Sequence, residues 1–378
     1  MDSHPLATAV LAALGTLLPA CAGAPAPGVR AGGDVFEREL VCDVPGLGDI
    51  RNLEWLLASG TSAAADDADG RLWIGAQQGA VQVSREGEES DRLVFAQRLV
   101  NPHPIDVDAD GTLETMDCGG GWSDVGLLDA AGKILWSYPR SKGLDSPDAM
   151  AAGPIGKDGE TGFVVGMNAG GGVHLLDAAG RTLLSDGASN VFSVAVADLD
   201  SDGVAEILHS DGSGRTRWIQ LRRADGAPLR RLAAEFSSFG LIRWPDAGSP
   251  PRVLGVDDGT VQIVDPCAGP EAVVLAEFEL PDEGFSVDSG QLVRLDPLAE
   301  PYLAVERTIR ATWSRAALYL FDAQRRLVYH EVFPVPYLAM AVLPADAPSE
   351  PDELLVGAGT EVWRYELRPA SGAEPVEK

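Results

Sequence analysis

The feature that most constrains this chain is a repeat. Residues Gly126 to Trp136 read Gly-Leu-Leu-Asp-Ala-Ala-Gly-Lys-Ile-Leu-Trp. Residues His174 to Leu184 read His-Leu-Leu-Asp-Ala-Ala-Gly-Arg-Thr-Leu-Leu, which places Asp129 and Asp177 48 residues apart. Weaker echoes follow at Leu221 to Gly226, Gln262 to Asp265 and Leu320 to Gln324. Each is a short apolar run, a turn rich in Asp, Ala and Gly, and a second apolar run, which is hairpin chemistry. A second motif keeps the same time. Asp106 to Glu114 and Asp198 to Glu206 both read D-x-D-x-D-G-x-x-E, and they start 92 residues apart, or two periods of about 46. A unit of that length cannot bury its apolar face alone, so it must stack on copies of itself.

The unit contains four strands. Around the second Asp loop they are expected at Val191 to Ala197, Glu206 to His209, Thr216 to Leu221 and Pro228 to Ala233. Four antiparallel strands in 40 to 50 residues make one blade of a β-propeller. The chain is expected to be all-β, with seven blades over about 53–100, 101–140, 145–186, 190–235, 236–279, 284–334 and 335–369. Six or eight blades are also compatible with the pattern. The last segment supplies only three strands, at Tyr337 to Leu343, Glu353 to Gly357 and Glu361 to Leu367. The strand Val35 to Cys42 has no hairpin partner, so it is expected to complete the seventh blade and close the ring. Closure removes open sheet edges, which otherwise invite aggregation. No linker divides 35–369, and 370–378 reads as a disordered tail.

Alternating carboxylates followed by glycine suit a hard cation, because calcium takes six to eight oxygen ligands and a tight loop presents positions 1, 3 and 5 together. On these residues the two loops resemble the FG-GAP and VCBS repeats of extracellular propellers, including the integrin α head. That resemblance implies two structural calcium ions. Asp106, Asp108, Asp110 and Glu114 would ligate one, with the carbonyl of Thr112. Asp198, Asp200, Asp202 and Glu206 would ligate the other, with the carbonyl of Val204. An EF-hand is rejected, since position 12 is Asp117 in one copy and His209 in the other and the flanks read as strands. The competing reading of both loops is an Asp-Gly turn capped by its own side chains without an ion. The other blades depart from the motif. Blade one has Ala65-Asp-Asp-Ala-Asp-Gly70 before Leu-Trp-Ile-Gly, which is similar to sensor-type propeller repeats. Blade three offers only Lys157-Asp158-Gly159. Blades five to seven carry proline-rich loops at 245–251, 297–301 and 344–351.

The Asp-Ala-Ala-Gly hairpin resembles the repeat of quinoprotein-like propellers. There a tryptophan and the turn lock neighbouring blades, and no quinone is implied by the motif itself. Only blade two carries the full Gly-Lys-x-x-Trp ending. At the amino terminus, Pro5 to Ala20 is short for a membrane span but fits a secretory h-region. It ends in Leu18-Pro19-Ala20-Cys21, which resembles the lipobox of bacterial lipoproteins. The resemblance implies a signal peptide over 1–20, lipidation of Cys21 and a tether over 21–34. It also implies a place outside the cytoplasm, on the outer membrane or cell surface. The segment departs from the pattern in having no Lys or Arg in Met1 to His4. Of the remaining cysteines, Cys42, Cys118 and Cys267, at most one pair could be bridged, and the spacing does not say which.

Asp plus Glu outnumber Lys plus Arg by 57 to 29, a net charge of −28. That disfavours nucleic acid and anionic lipid surfaces as partners, because a phosphate backbone needs a basic patch. His103, His174, His209 and His330 are scattered over different blades without ligand spacing, and are read as ordinary strand or loop residues. There is no nucleophile elbow and no phosphate loop, so no catalytic residue is assigned. Trp122, Trp218, Trp244 and Trp313 are expected to pack between blades rather than to line the central face. The reading is a monomeric binding or scaffold module for a protein or carbohydrate ligand, touching the membrane through its lipid alone. The alternatives are a propeller enzyme, either carbohydrate-active or quinone-dependent, and a sensor or assembly subunit of a surface complex.

Overall fold

The computed structural model describes residues 35–56, 70–119, 124–139, 146–155, 159–187, 190–212, 218–232, 236, 238–257, 259–269, 272–281, 289–309 and 315–368. Strand β1 (Val35–Asp43) is followed by seven blades. Blade one is β2 (Ile50–Leu56), β3 (Arg71–Ala76), β4 (Gly79–Val83) and β5 (Glu89–Val94). Blade two is β6 (Pro102–Ile105), β7 (Glu114–Asp117), β8 (Val125–Leu128) and β9 (Ile134–Tyr138). Blade three is β10 (Pro147–Gly153), β11 (Gly162–Met167), β12 (Gly172–Asp177) and β13 (Thr182–Asp186). Blade four is β14 (Val194–Ala197), β15 (Glu206–Asp211), β16 (Trp218–Arg223) and β17 (Pro228–Leu232). Blade five is β18 (Phe239–Arg243), β19 (Pro251–Asp257), β20 (Thr260–Asp265) and β21 (Val273–Glu279). Blade six is β22 (Ser289–Val293), β23 (Tyr302–Thr308), β24 (Ala316–Phe321) and β25 (Leu327–Phe333). Blade seven joins β26 (Leu338–Leu343), β27 (Glu353–Ala358) and β28 (Glu361–Arg368) to β1, which pairs antiparallel with β28 from Val35 opposite Arg368 to Asp43 opposite Glu361. The ring has seven blades and closes through the amino-terminal strand, as the orphan strand in the sequence requires.

Burial follows from position within the blade. The third strand of blade six, Ala316–Phe321, is buried along its whole length, while the outer strand Glu89–Val94 is mostly exposed. A middle strand has a neighbouring blade on each face, so it needs apolar residues at both parities rather than alternation. The described core accordingly divides into seven clusters, one per seam. Phe163 and Val165 face blade two, for example, while Val164 between them faces blade four.

One turn repeats at the outer rim. The Asp129 N–H donates to the Lys133 carbonyl at 2.8 Å, and the Asp129 carboxylate accepts from the N–H groups of Ala131 and Lys133. The same three bonds recur at Asp177 with Ala179 and Arg181. In blades one to four the turn glycine gives the hairpin its seat on the preceding blade. A Cβ on Gly180 would lie 2.6 Å from the Trp136 ring, and Trp136 Nε1 donates to the Ala178 carbonyl at 3.0 Å. The tryptophan and the turn therefore lock blade two to blade three. Gly87 meets the Val41 carbonyl of β1 in the same way, so the closing strand is held by the hairpin of blade one. In blade six Arg325 takes the left-handed position, with φ of 64°, and its guanidinium donates to the Leu275 carbonyl of blade five.

Every outer strand also carries a β-bulge, near its start at Ser90, Leu135, Leu183, Leu229, Leu275 and Val328 in blades one to six and near the opposite end, at Val41, in the closing strand β1. Bulges twist and blunt an edge that would otherwise template another chain. The sequence pattern did not reveal them. It also misplaced some boundaries. Strand β14 starts at Val194 rather than Val191, because the Val191 N–H is taken by the Met167 carbonyl of blade three. Strand β15 continues past His209 through two buried polar residues, Ser210 and Asp211. The expected signal peptide, tether and tail at 1–34 and 370–378, together with Cys21, Thr216, Trp122 and Trp313, lie outside the described residues.

Candidate functional site

Both Asp loops connect the first and second strands of their blades, and both fold the same way. In blade two, Asp106 Oδ1 accepts from the Asp110 N–H at 3.1 Å and Oδ2 from the Gly111 N–H at 3.0 Å. Asp108 Oδ1 accepts from the Asp110 N–H at 3.3 Å, and Asp110 Oδ1 from the Thr112 N–H at 2.7 Å. Glu114, at the start of β7, reaches back to the Val107 N–H at 3.1 Å. Blade four repeats each bond. Asp198 holds the N–H groups of Asp202 and Gly203 at 3.1 and 3.0 Å, and Asp200 holds Asp202 at 3.2 Å. Asp202 holds the Val204 N–H at 2.8 Å, and Glu206 holds Leu199 at 3.0 Å. Two residues in each loop take left-handed backbone, Ala109 and Gly111 in one, Ser201 and Gly203 in the other. The glycines do this freely, whereas Ala109 and Ser201 do so at a cost that the surrounding bonds must offset.

This wrapping gathers carboxylates. Oxygens of Asp106, Asp108 and Asp110 lie within 4.8 Å of one another, as do those of Asp198, Asp200 and Glu206. Glu114 and Asp202 belong to the same loops but fall outside these tight groups. Glu206 is buried, and burial followed by the carboxylates of Asp200, Asp202 and Asp198 pushes its pKa up. The oxygen-only donor set is that of a hard cation such as calcium. It fits imidazole- and thiolate-seeking metals poorly.

The remaining described loops on this face show what takes the place of that arrangement. The third loop position is an aspartate in blades five, six and seven as well, at Asp246, Asp296 and Asp346. Asp246 and Asp296 cap their own turns by accepting from the N–H groups of Gly248 and Leu298. The first position has become Trp244, Arg294 and Pro344. Glu353 opens β27 as Glu114 opens β7, but it is held by Arg85 at 3.2 Å and Arg364 at 2.8 Å. Arg85 also meets Asp346 at 3.3 Å and donates to the Pro344 carbonyl at 2.7 Å. Guanidinium groups thus neutralise the blade-seven carboxylates. The shared third-position aspartate was visible in the sequence once the loops were aligned on their strands, but the prolines hid the alignment. The corresponding loops of blades one and three, with Asp66, Asp67 and Asp158, lie outside the described residues.

The histidines have structural partners. His103 in blade two accepts from Asn52 of blade one at 2.9 Å, and burial holds its pKa down to about 4. His209 accepts at Nε2 from Arg222 at 2.9 Å, which fixes the Nδ1–H tautomer toward the Ser210 carbonyl at 3.0 Å. Arg222 continues to Asp186 of blade three at 2.6 Å, and burial again holds the His209 pKa down to about 4. His174 of blade three bonds Tyr138 of blade two, and His330 stacks on Tyr319 within blade six. Trp244 packs edge-on against Phe278 within the blade-five and blade-six cluster, as expected of a packing tryptophan. Trp218 instead carries Arg231 over its ring. Cys42, Cys118 and Cys267 are all free thiols. Among the described residues, no helix is long and apolar enough to cross a membrane.

The sequence matches no protein-family model and no curated protein. Solved structures do resemble the ring. The crystal structure of BBS1N in complex with ARL6DN, soaked with mercury, aligns with a TM-score of 0.55 at 14% identity over 93% of this chain and 99% of that chain. Its lead-soaked counterpart aligns at 0.54 and 13% identity over the same shares. The Neurospora crassa Pan2 WD40 domain aligns at 0.48 and 13% identity, over 89% of this chain and 97% of that one. At such identities the likeness extends to the fold, and the fold is a seven-bladed β-propeller.

Proposed function

We propose that the chain is a binding or scaffold propeller that holds one calcium ion in each Asp loop, and that it works outside the cytoplasm on a lipid carried by Cys21. The observation that carries the calcium reading is the bond-for-bond identity of the loops in blades two and four. Three carboxylates within 4.8 Å repel one another. Each pair at that spacing costs about 1 to 4 kcal/mol between bulk-water and protein-surface dielectric. A divalent cation reverses the sign of that interaction and ties the first strand of the blade to the second. The FG-GAP and VCBS resemblance of the same residues supports this assignment. The ion's part is structural, since it stabilises the native state by mass action.

The binding reading rests on what the residues are occupied with. The histidines and many of the buried charges described above link strands or blades, and the loops present themselves on a ring face. BBS1N, whose fold this chain shares, is a protein held in complex with another, ARL6DN. Cross-linking of calcium-loaded protein in its native membrane tests the reading. Cross-links from one face of the ring to a single partner class are expected. Cross-links scattered over the rim, or confined to the chain itself, would overturn it. Mass spectrometry of the mature amino terminus tests the anchor: a diacylated Cys21 is expected, and an unmodified Cys21 refutes it.

A further inference from the structure

A cavity of about 870 Å³ opens between blades five, six and seven, on the face that carries the first-to-second loops. Its volume falls in the range of small-molecule sites. Its wall is aliphatic: Leu241 from β18, Leu292 from β22 and Val342 from β26 line it, and all three are only half-buried. Each packs part of its side chain on a seam cluster and leaves the rest to the cavity, so the three together form a continuous apolar wall there.

The polar groups at the rim are unevenly engaged. Asp352 accepts from the N–H groups of Arg294 and Ala345 at 3.0 and 3.1 Å, and lies 3.6 Å from the Arg294 guanidinium. Asp246 accepts from its own turn. Both acids are therefore engaged within the protein. The two arginines keep donors in reserve. Arg243 is exposed and spends one N–H on the Ser249 carbonyl. Among the described residues, the Arg294 guanidinium has only its long contact with Asp352, and its Nε has no partner. A guanidinium presents a planar fork of donors that a carboxylate matches bidentately.

We propose that this cavity binds an apolar chain that ends in a carboxylate, with the chain along Leu241, Leu292 and Val342 and the carboxylate on Arg243 and Arg294. The site shares no residue with the calcium loops. Strong net negative charge does not provide general anion affinity, so selection must come from these local donors together with the apolar wall.

Calorimetric titration with decanoate tests this, with decanol as the uncharged probe. Acetyl-Leu-Leu-Val as free acid and as amide distinguishes a fatty acid from a peptide carboxyl terminus. Saturable one-site binding of decanoate, of the peptide acid, or of both is expected. The uncharged partner of each should bind at least about tenfold more weakly, the value of one charge-assisted bond. Arg243→Gln is exposed and should fold normally, and it should weaken binding by about tenfold. Arg294→Gln should weaken it too. Failure of both acids to bind overturns the proposal. So does equal binding of acid and uncharged probe, or unchanged affinity in Arg243→Gln.

Discussion

Replacing Gly180 by alanine should weaken the ring far more than a single methyl group suggests. Gly180 has φ of +70°, and an added Cβ would meet the Trp136 ring at 2.6 to 3.0 Å. An L-residue in left-handed backbone costs about 1 to 2 kcal/mol. Moving the buried indole aside adds about 1 to 3 kcal/mol of overpacking. Breaking the 3.0 Å bond from Trp136 Nε1 to Ala178 adds about 1 kcal/mol. The sum is about 3 to 6 kcal/mol, a large share of the stability of an ordinary domain. Gly259→Ala is the control, because its φ is +84° but nothing among the described residues lies within 4 Å of its Cβ. It should cost only the backbone strain, about 1 to 2 kcal/mol. Urea denaturation read from the midpoint at fixed calcium compares the two. In a Trp136→Leu background the steric part of the Gly180→Ala cost should vanish, which is a coupling that a double-mutant cycle measures. Equal losses at Gly180 and Gly259, or additivity with Trp136→Leu, would show that the indole does not sit in the turn.

Ring closure gives a second test. Glu353→Gln leaves Arg85 and Arg364 without their shared carboxylate at the seam of blades seven and one. Burial pushes the Glu353 carboxyl up by more than the two guanidinium groups bring it down, so the loss of the ion pairs is partly offset and the change should cost about 1 kcal/mol. Equilibrium denaturation that shows no loss would make the cluster ornamental. A third test uses pH. His103 and His209 titrate near 4 when folded but near 6.5 when unfolded. The unfolded chain therefore binds protons first as pH falls, and stability should be full above about 6.5 and decline toward 4. Each histidine contributes up to about 3 kcal/mol to that decline. The raised values of Glu54 and Asp117 act in the opposite direction. His209→Gln should flatten the profile of unfolding midpoint against pH, and an unchanged slope would contradict the assignment.

Much of the ring was legible because its period is written in turn chemistry. Asp129 and Asp177 each cap a hairpin through the same bonds, so their spacing measures one blade. The orphan strand at Val35 was legible for a topological reason, since three strands at the end of the chain need a fourth from its start. What was hidden depends on neighbours in space. Val191 reads as strand but gives its N–H to Met167 of the adjacent blade. Ser210 and Asp211 read as a strand's end, yet Ser210 Oγ accepts from the N–H groups of Phe192 and Ser193 and the strand continues. The outer bulges leave no mark, because an inserted Leu, Val or Ser looks like any other residue of an outer strand. Of the candidate site, the matching fold of the two Asp loops was legible, because the same residues make the same bonds in both. The guanidinium groups that neutralise blade seven were not, because Arg85 and Glu353 lie 268 residues apart.

Calcium titration of the purified, chelator-stripped protein tests the central claim most directly. Two ions per chain are expected, with a rise in melting temperature on loading. Asp108→Asn and Asp200→Asn should each remove one equivalent, and the double variant both. A protein that binds no calcium, and melts identically in chelator and in millimolar calcium, would contradict the account and leave the loops as self-capped turns.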